Sequence, residues 1–271
     1  RNLLGAIGIG IVLGGLLLLS LLVNKDLFML FAAVLLGISA VELATALQAM
    51  GRRVPRIPTG ITAVAAVPAA YFLGIGAALL VAVVGALVVT LWRFVEIKRE
   101  YHATADVSLR KDFLAAAFVQ AYVTVLGSFA VALVAKPNGQ WWTLAFLIIV
   151  VSVDTGAYVS GLNFGKHPMA PKISPKKTWE GFAGAALASI IAATVLSIFM
   201  IGQPWWFGLI LGPIILVTAT LGDLGESHIK RTIGVKDMSS WLAGHGGFLD
   251  RLDSILPSAL VTFVIYSLVV H

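Results

Sequence analysis

The chain has 271 residues, of which 59% are hydrophobic and 12% charged, with a formal net charge of +6 and no cysteine. Charge this sparse, with apolar residues gathered in runs of about twenty, implies an integral membrane protein, and the missing cysteine excludes disulfide frameworks, zinc–thiolate sites and cysteine nucleophiles. The basic residues lie in short loops between apolar runs, not on a soluble face, so positive-inside bias explains them and no nucleic-acid partner is expected.

A helix needs ~20 residues to cross the hydrocarbon. Nine runs are candidates, at about 3–23, 27–50, 60–74, 76–96, 113–135, 141–163, 179–201, 205–225 and 252–270. The third is short and contains Pro68. The predicted fold class is all-α, a polytopic integral membrane protein of about nine transmembrane helices in a single membrane domain, 1–271. Within it, helices of about 1–135 precede a half of about 141–271 that carries the polar loops. Asn24-Lys25-Asp26 follows the first run where a signal peptide would have small residues, so that run reads as a span. Because the chain begins with Arg1, a few residues including an initiator Met are expected to be missing. Gly10-x-x-x-Gly14 is a candidate helix-packing motif.

If alternate loops face opposite sides, 17 of the 19 Lys and Arg collect on one side and only Lys25 and Lys136 on the other. That asymmetry predicts a cytoplasmic N-terminus and an outer C-terminus. A bacterial inner membrane is the expected location. Outer loops are two to five residues long, such as Gly202-Gln203-Pro204, whereas the longest on the basic side run to about 25 residues and have room for chemistry.

Two acids fall inside spans. Glu42, in the second, reads either as facing a polar cavity or as a protonated, hydrogen-bonded structural group. Asp154, midway along the sixth, is expected to face a polar cavity, because an unpaired charge there is expensive. The loop from Lys166 to Gly181 follows. Its Ser174-Pro175 turn leads into Lys176-Lys177 at a helix entry, which reads as a positioned phosphate clamp. Thr178 is predicted to cap the seventh span, with Glu180 in its first turn, both in structural roles.

The most polar stretch lies between the last two spans. If the eighth span continues as helix, Asp223, Ser227 and Lys230 share one face at i, i+4 and i+7, with Glu226 beside them. Glu226 is favoured in a solvated or structural role. Gly244-His245-Gly246-Gly247 permits positive φ and lets backbone N–H groups approach an anion. Asp250 and Asp253 stand one turn apart at the start of the last span. The helix dipole alone favours carboxylates there, but two acids at a membrane-facing helix entry, with Arg251 between, are more naturally explained by a bound divalent cation. His245 reads as a substrate contact or support for one, with a plain turn residue as the alternative.

Ser227-x-x-Lys230-Arg231-x-x-x-x-Lys236-Asp237, then Gly244-His245-Gly246-Gly247 and Asp250-Arg251-x-Asp253, resembles the signature of phosphatidate cytidylyltransferases, also called CDP-diacylglycerol synthases. Ser174-Pro175-Lys176-Lys177-Thr178-Trp179-Glu180-Gly181 resembles a second motif of that family. Together they cover about a seventh of the chain. Members usually have Pro before Gly-His-Gly-Gly, where this chain has Ala243; no charged or metal-binding position is lost. The resemblance implies transfer of a cytidylyl group from CTP to phosphatidic acid, with magnesium as cofactor and the catalytic half at about 141–271. It implies metal binding by Asp223, Asp250 and Asp253, with Asp223, Asp250 and Lys230 as catalytic residues. Lys176, Lys177, Lys230, Arg231 and Lys236 would neutralise phosphates, Ser227 would bond a phosphate oxygen, and His245, Gly246 and Gly247 would shape the nucleotide pocket. Arg251 and Asp154 complete the substrate-binding candidates. The acyl chains would remain in membrane lipid, and a homodimer is expected. The rival classes are a secondary transporter or channel, for which Asp154 and Glu42 would be ion sites, and a CTP-dependent polyprenol or phytol kinase.

Overall fold

The computed structural model describes residues 3–99, 108–239, 241 and 246–270, with side chains from residue 12 onward. Helices form where the apolar runs predict them. They are α1 (Leu3–Val23), α2 (Lys25–Ala46), α3 (Arg56–Pro68), α4 (Ile75–Arg99), α5 (Leu109–Val119), α6 (Leu126–Ala135), α7 (Gly139–Phe164), α8 (Trp179–Phe199), α9 (Trp205–Ile233) and α10 (Ile255–Val269). A 3-10 turn, Leu47–Met50, extends α2, and π turns at Ala69–Leu73 and Gln120–Val125 extend α3 and join α5 to α6. The fold is thus all-α and polytopic. Among the described residues seven helical stretches are long and apolar enough to cross a bilayer, and Ile255–Val269 is a shorter apolar helix. Pro68 shortens no span: it lacks a ladder N–H, and the chain continues past it as a π turn.

The chain divides into two compact units, residues 1–135 with 233–251, and residues 136–232 with 252–271. In the first unit small residues set the helix spacing, as expected where lipid supplies no hydrophobic drive between helices. A Cβ added at Gly37 on α2 would lie 2.7 Å from Val64 of α3, and one at Gly60 on α3 would lie 2.9 Å from Val41 of α2. At Gly14, by contrast, nothing described lies within 4 Å. Arg93 of α4 is buried and survives there because it is paired. Its Nε donates to Asp112 of α5 at 3.0 Å and its Nη1 meets Glu96 at 3.2 Å, while Asp112 also accepts from the backbone N–H of Arg53 at 3.0 Å.

The second unit is built on an intimate α7–α8 contact. A Cβ at Gly156 of α7 would come 2.8 Å from the Gly184 carbonyl of α8, and one at Gly181 would come 2.9 Å from the Ala157 carbonyl. Toward the other end Trp142 meets Phe207 and Tyr266 edge-on, and the Tyr266 hydroxyl donates to the Pro137 carbonyl at 2.7 Å. Between α7 and α8 the chain forms a small antiparallel hairpin, β1 (Pro168–Ala170) and β2 (Ser174–Thr178), pairing Pro168 with Thr178 and Ala170 with Ser174. This hairpin was not foreseen, because Pro168, Pro171 and Pro175 argue against strands. A two-stranded ribbon tolerates them, since each strand has an unpaired edge.

Candidate active site

In the first unit the glycine-rich turn is held by two carboxylates. Glu42, buried on α2, accepts from the Ser239 hydroxyl at 2.5 Å and from the backbone N–H groups of Phe248 at 3.0 Å and Leu249 at 2.9 Å. Asp250, in the 3-10 turn Leu249–Arg251, accepts through Oδ2 from the N–H of Gly247 at 2.6 Å and of Met238 at 3.0 Å. The glycines are required by these contacts. Gly246 has φ +78°, and a Cβ there would lie 2.5 Å from Asp250 Oδ2; a Cβ at Gly247 would lie 2.8 Å from both Glu42 oxygens. The sequence predicts backbone N–H groups here that approach an anion, and the anions they meet are the protein's own carboxylates. Glu42 is a structural clamp on the signature loop, and its signal in the sequence was its position, an acid inside a span.

In the second unit the hairpin presents lysines to α9. Thr178 caps α8, accepting from the Gly181 N–H at 3.1 Å. Glu180 in the first turn accepts from the N–H groups of Lys166 at 3.0 Å and His167 at 3.2 Å and bonds the His167 ring at 2.5 Å. These bonds fix both ends of the ribbon, as the structural roles predicted for Thr178 and Glu180 require. Lys177 Nζ then reaches Asp223 Oδ2 at 2.5 Å. Asp223 also accepts from the Ser227 hydroxyl at 3.3 Å, one turn along α9, and Lys230 Nζ lies 3.5 Å from fully buried Glu226. The helical stripe Asp223, Ser227, Lys230 therefore forms as its spacing predicts. Arg231 Nε donates to the Ile173 carbonyl at 3.3 Å, tying the helix end to the hairpin.

Asp253 joins this cluster at the start of α10. Burial and the neighbouring Asp223 carboxylate raise its pKa above the ordinary Asp range, against a side-chain hydrogen bond shared with Glu226, the bond from the Ser254 N–H and the charge of Lys230, which lower it. A Cβ at Gly222 would lie 2.3 Å from the Asp253 carbonyl, so the glycine is what lets α9 and the start of α10 approach. A cavity of about 330 Å³ is lined by Asp154, Tyr158, Lys176, Lys177 and Asp223 among others. Asp154 thus faces a largely apolar cavity that also exposes Lys176, Lys177 and Asp223.

The second unit brings together Asp154, Lys176, Lys177, Asp223, Ser227, Lys230 and Asp253, and the first holds Gly246, Gly247 and Asp250 in one loop. Lys236 and Arg251 are exposed. His245, with Ala243 and Gly244, lies outside the described residues. Among the described residues no group of three or more His, Asp or Glu side chains is arranged to hold a metal ion. Asp223 and Glu226 are instead turned toward lysines.

A polytopic helical membrane protein that gathers lysines, a hydroxyl and carboxylates around one cavity at its basic loops is equipped for phosphate-group chemistry at a membrane surface. Comparison with known sequences defines the class further. The profile of the cytidylyltransferase family matches residues 5–269, and the chain belongs to that family. It is 37% identical over 275 residues to the phosphatidate cytidylyltransferase of Mycobacterium bovis, covering 99% of this chain and 89% of that one. The Mycobacterium leprae phosphatidate cytidylyltransferase is 37% identical over 279 residues, covering 99% and 88%. That of Staphylococcus saprophyticus is 40% identical over 149 residues, covering 54% of this chain and 57% of its own length.

Proposed function

We propose that this protein is a phosphatidate cytidylyltransferase that converts CTP and phosphatidic acid to CDP-diacylglycerol and pyrophosphate. The observation that carries it is 37% identity with phosphatidate cytidylyltransferases over 99% of this chain, with every charged position of the signature from Ser227 to Asp253 present. In the reaction a phosphate oxygen of phosphatidic acid forms a bond to the α-phosphorus of CTP, and the bond from that phosphorus to the β-phosphate oxygen breaks, releasing pyrophosphate. A phosphate monoester is already largely dianionic near neutral pH, so no protein nucleophile is needed. The protein must align two repelling anions and neutralise charge.

Lys176, Lys177, Lys230, Arg231 and Lys236 are assigned to phosphates, and Ser227 to a phosphate oxygen. Lys177 and Lys230, now paired with Asp223 and Glu226, would exchange a carboxylate for a phosphate. Asp223 and Asp253 fit a divalent cation: two carboxylates close enough for one to raise the pKa of the other are relieved by a shared cation. Asp250 is the third assigned ligand. Magnesium, when bound, would neutralise charge developing on the transferring phosphoryl group. We assign the site to the cytoplasmic side of a bacterial inner membrane, a side that the positive-inside bias of the basic loops supports, and propose a homodimer.

The test is an assay in detergent with cytidine-labelled CTP. Labelled lipid and pyrophosphate are expected only when magnesium and phosphatidic acid are both supplied. Release of CDP with phosphorylation of an added polyprenol, or no turnover alongside solute flux in sealed vesicles, would overturn the proposal.

A further inference from the structure

A second cavity belongs wholly to the first unit and uses none of the signature residues. Its volume is about 580 Å³, and Gln48, Arg53, Arg56, Ile57, Trp92 and Arg93 are among the side chains that line it. It is a built site. The buried Arg93 guanidinium is fixed between Asp112 and Glu96, and the same Asp112 holds the Arg53 backbone. Glu96, which also lines the cavity, is committed: one oxygen faces Arg93 and the other accepts from the Trp92 indole at 2.9 Å. Arg56 Nη2 donates at 2.7 Å to Gln48, a neutral amide that leaves its charge uncompensated by that contact. Among the described residues that line the cavity, three guanidinium groups stand beside one carboxylate, that of Glu96. At its wall α3 begins with Pro55 as N-cap and no side chain bonding the first-turn N–H groups, an end that favours an anion.

The apolar surroundings identify the anion's carrier. Ile57 is 69% exposed, Ile61 one turn further along α3 is 63% exposed, and Trp92 is 49% exposed. In a span these are lipid-facing side chains, and a tryptophan at the end of one is the residue type that sits at headgroup level. A phosphate in the cavity would therefore have an apolar track along α3 for attached acyl chains. We propose that this cavity binds the phosphate of an anionic phospholipid, with Arg53 and Arg56 as its cationic arms and Arg93 as its fixed floor. Arginine suits the task because its planar fork donates two parallel hydrogen bonds to phosphate oxygens.

The test uses the full-length protein in detergent and native mass spectrometry to count bound phosphatidylglycerol, a lipid that lacks the phosphate monoester needed for the acceptor reaction. The Arg53→Gln and Arg56→Gln variants, singly and together, leave the buried Arg93–Asp112 pair intact, and melting temperature checks their folding. Arg110→Ala removes an exposed basic residue outside the cavity as a control. Expected is a loss of roughly tenfold or more in phosphatidylglycerol affinity for the double variant, smaller losses for the singles, and none for Arg110→Ala, with phosphatidylcholine binding unchanged throughout. Equal affinity in wild type and double variant, or equal loss for phosphatidylcholine, overturns the proposal. So does displacement of the lipid by millimolar inorganic phosphate as efficiently as by phosphatidylglycerol, which would assign the cavity to free phosphate.

Discussion

Asp223 and Asp250 carry the same side chain into different surroundings, and substitution should separate them. Asp223 faces Lys177 and Ser227, with no backbone N–H among these partners, so Asp223→Asn changes charge while leaving α9 intact. Asp250 accepts two backbone N–H groups through one oxygen, and Asp250→Asn puts an amide where an acceptor carboxylate shaped the loop. An amide is also a poor ligand for a hard cation. Both variants should lose on the order of a hundredfold or more in turnover, the scale of one interaction made in the transition state. They should differ in form. For Asp223→Asn raised magnesium recovers part of the activity and limited proteolysis is unchanged, whereas Asp250→Asn shows faster cleavage between residues 236 and 250. Turnover of Asp223→Asn above about a tenth of wild type would remove that carboxylate from the metal site.

The described part of the signature loop takes its shape from Glu42, 205 residues before Gly247 in the chain. Gly247→Ala should place a methyl 2.8 Å from both oxygens of a carboxylate already held by three hydrogen bonds. Loss of roughly tenfold or more in activity is expected, equivalent to the ~1–3 kcal/mol of a strained or broken charged hydrogen bond. Combining it with Glu42→Asp, which withdraws the carboxylate by one methylene, should restore part of that activity, and a double variant worse than either single would show that the two do not press on each other. This pairing also explains what the sequence could and could not supply. Helix positions were legible because a span needs a long apolar run, and Asp223, Ser227 and Lys230 were legible because helical spacing is local. The role of Glu42 was left between cavity and structure because its partners are distant in sequence. The hairpin was hidden by its prolines, and the Arg93–Asp112 pair by lying at two helix ends that only tertiary packing joins.

At the scale of the whole molecule, the charge asymmetry predicts an orientation. Lys98 and Arg99 end α4, and Arg110, Lys111, Lys172, Lys176, Lys177, Lys230 and Arg231 follow in loops or helix ends that the alternation assigns to the same side as the signature. Moving basic loops across the bilayer is disfavoured, and the bias counts most within short loops. Nine crossings from a cytoplasmic N-terminus would leave the segment after α4 in the cytosol and the end of α10 outside. The short α10 decides the matter, because Ile255–Val269 has only 15 residues and ~20 span a typical bilayer. Its start, near Asp253 and Ser254, sits with the polar cluster of α9, so a full crossing needs local thinning or a deeply set entry for the lipid phosphate. A reporter active only in the cytosol, fused after Arg110, should be active, and the same reporter after His271 should be silent. Activity at both positions would mean that α10 turns back without crossing, or that another helix fails to cross, and would place an even number of crossings in the chain. An alkaline phosphatase fusion after His271, active only outside, should give the reciprocal signal, and its silence together with an active cytosolic reporter there would reverse the assigned C-terminus.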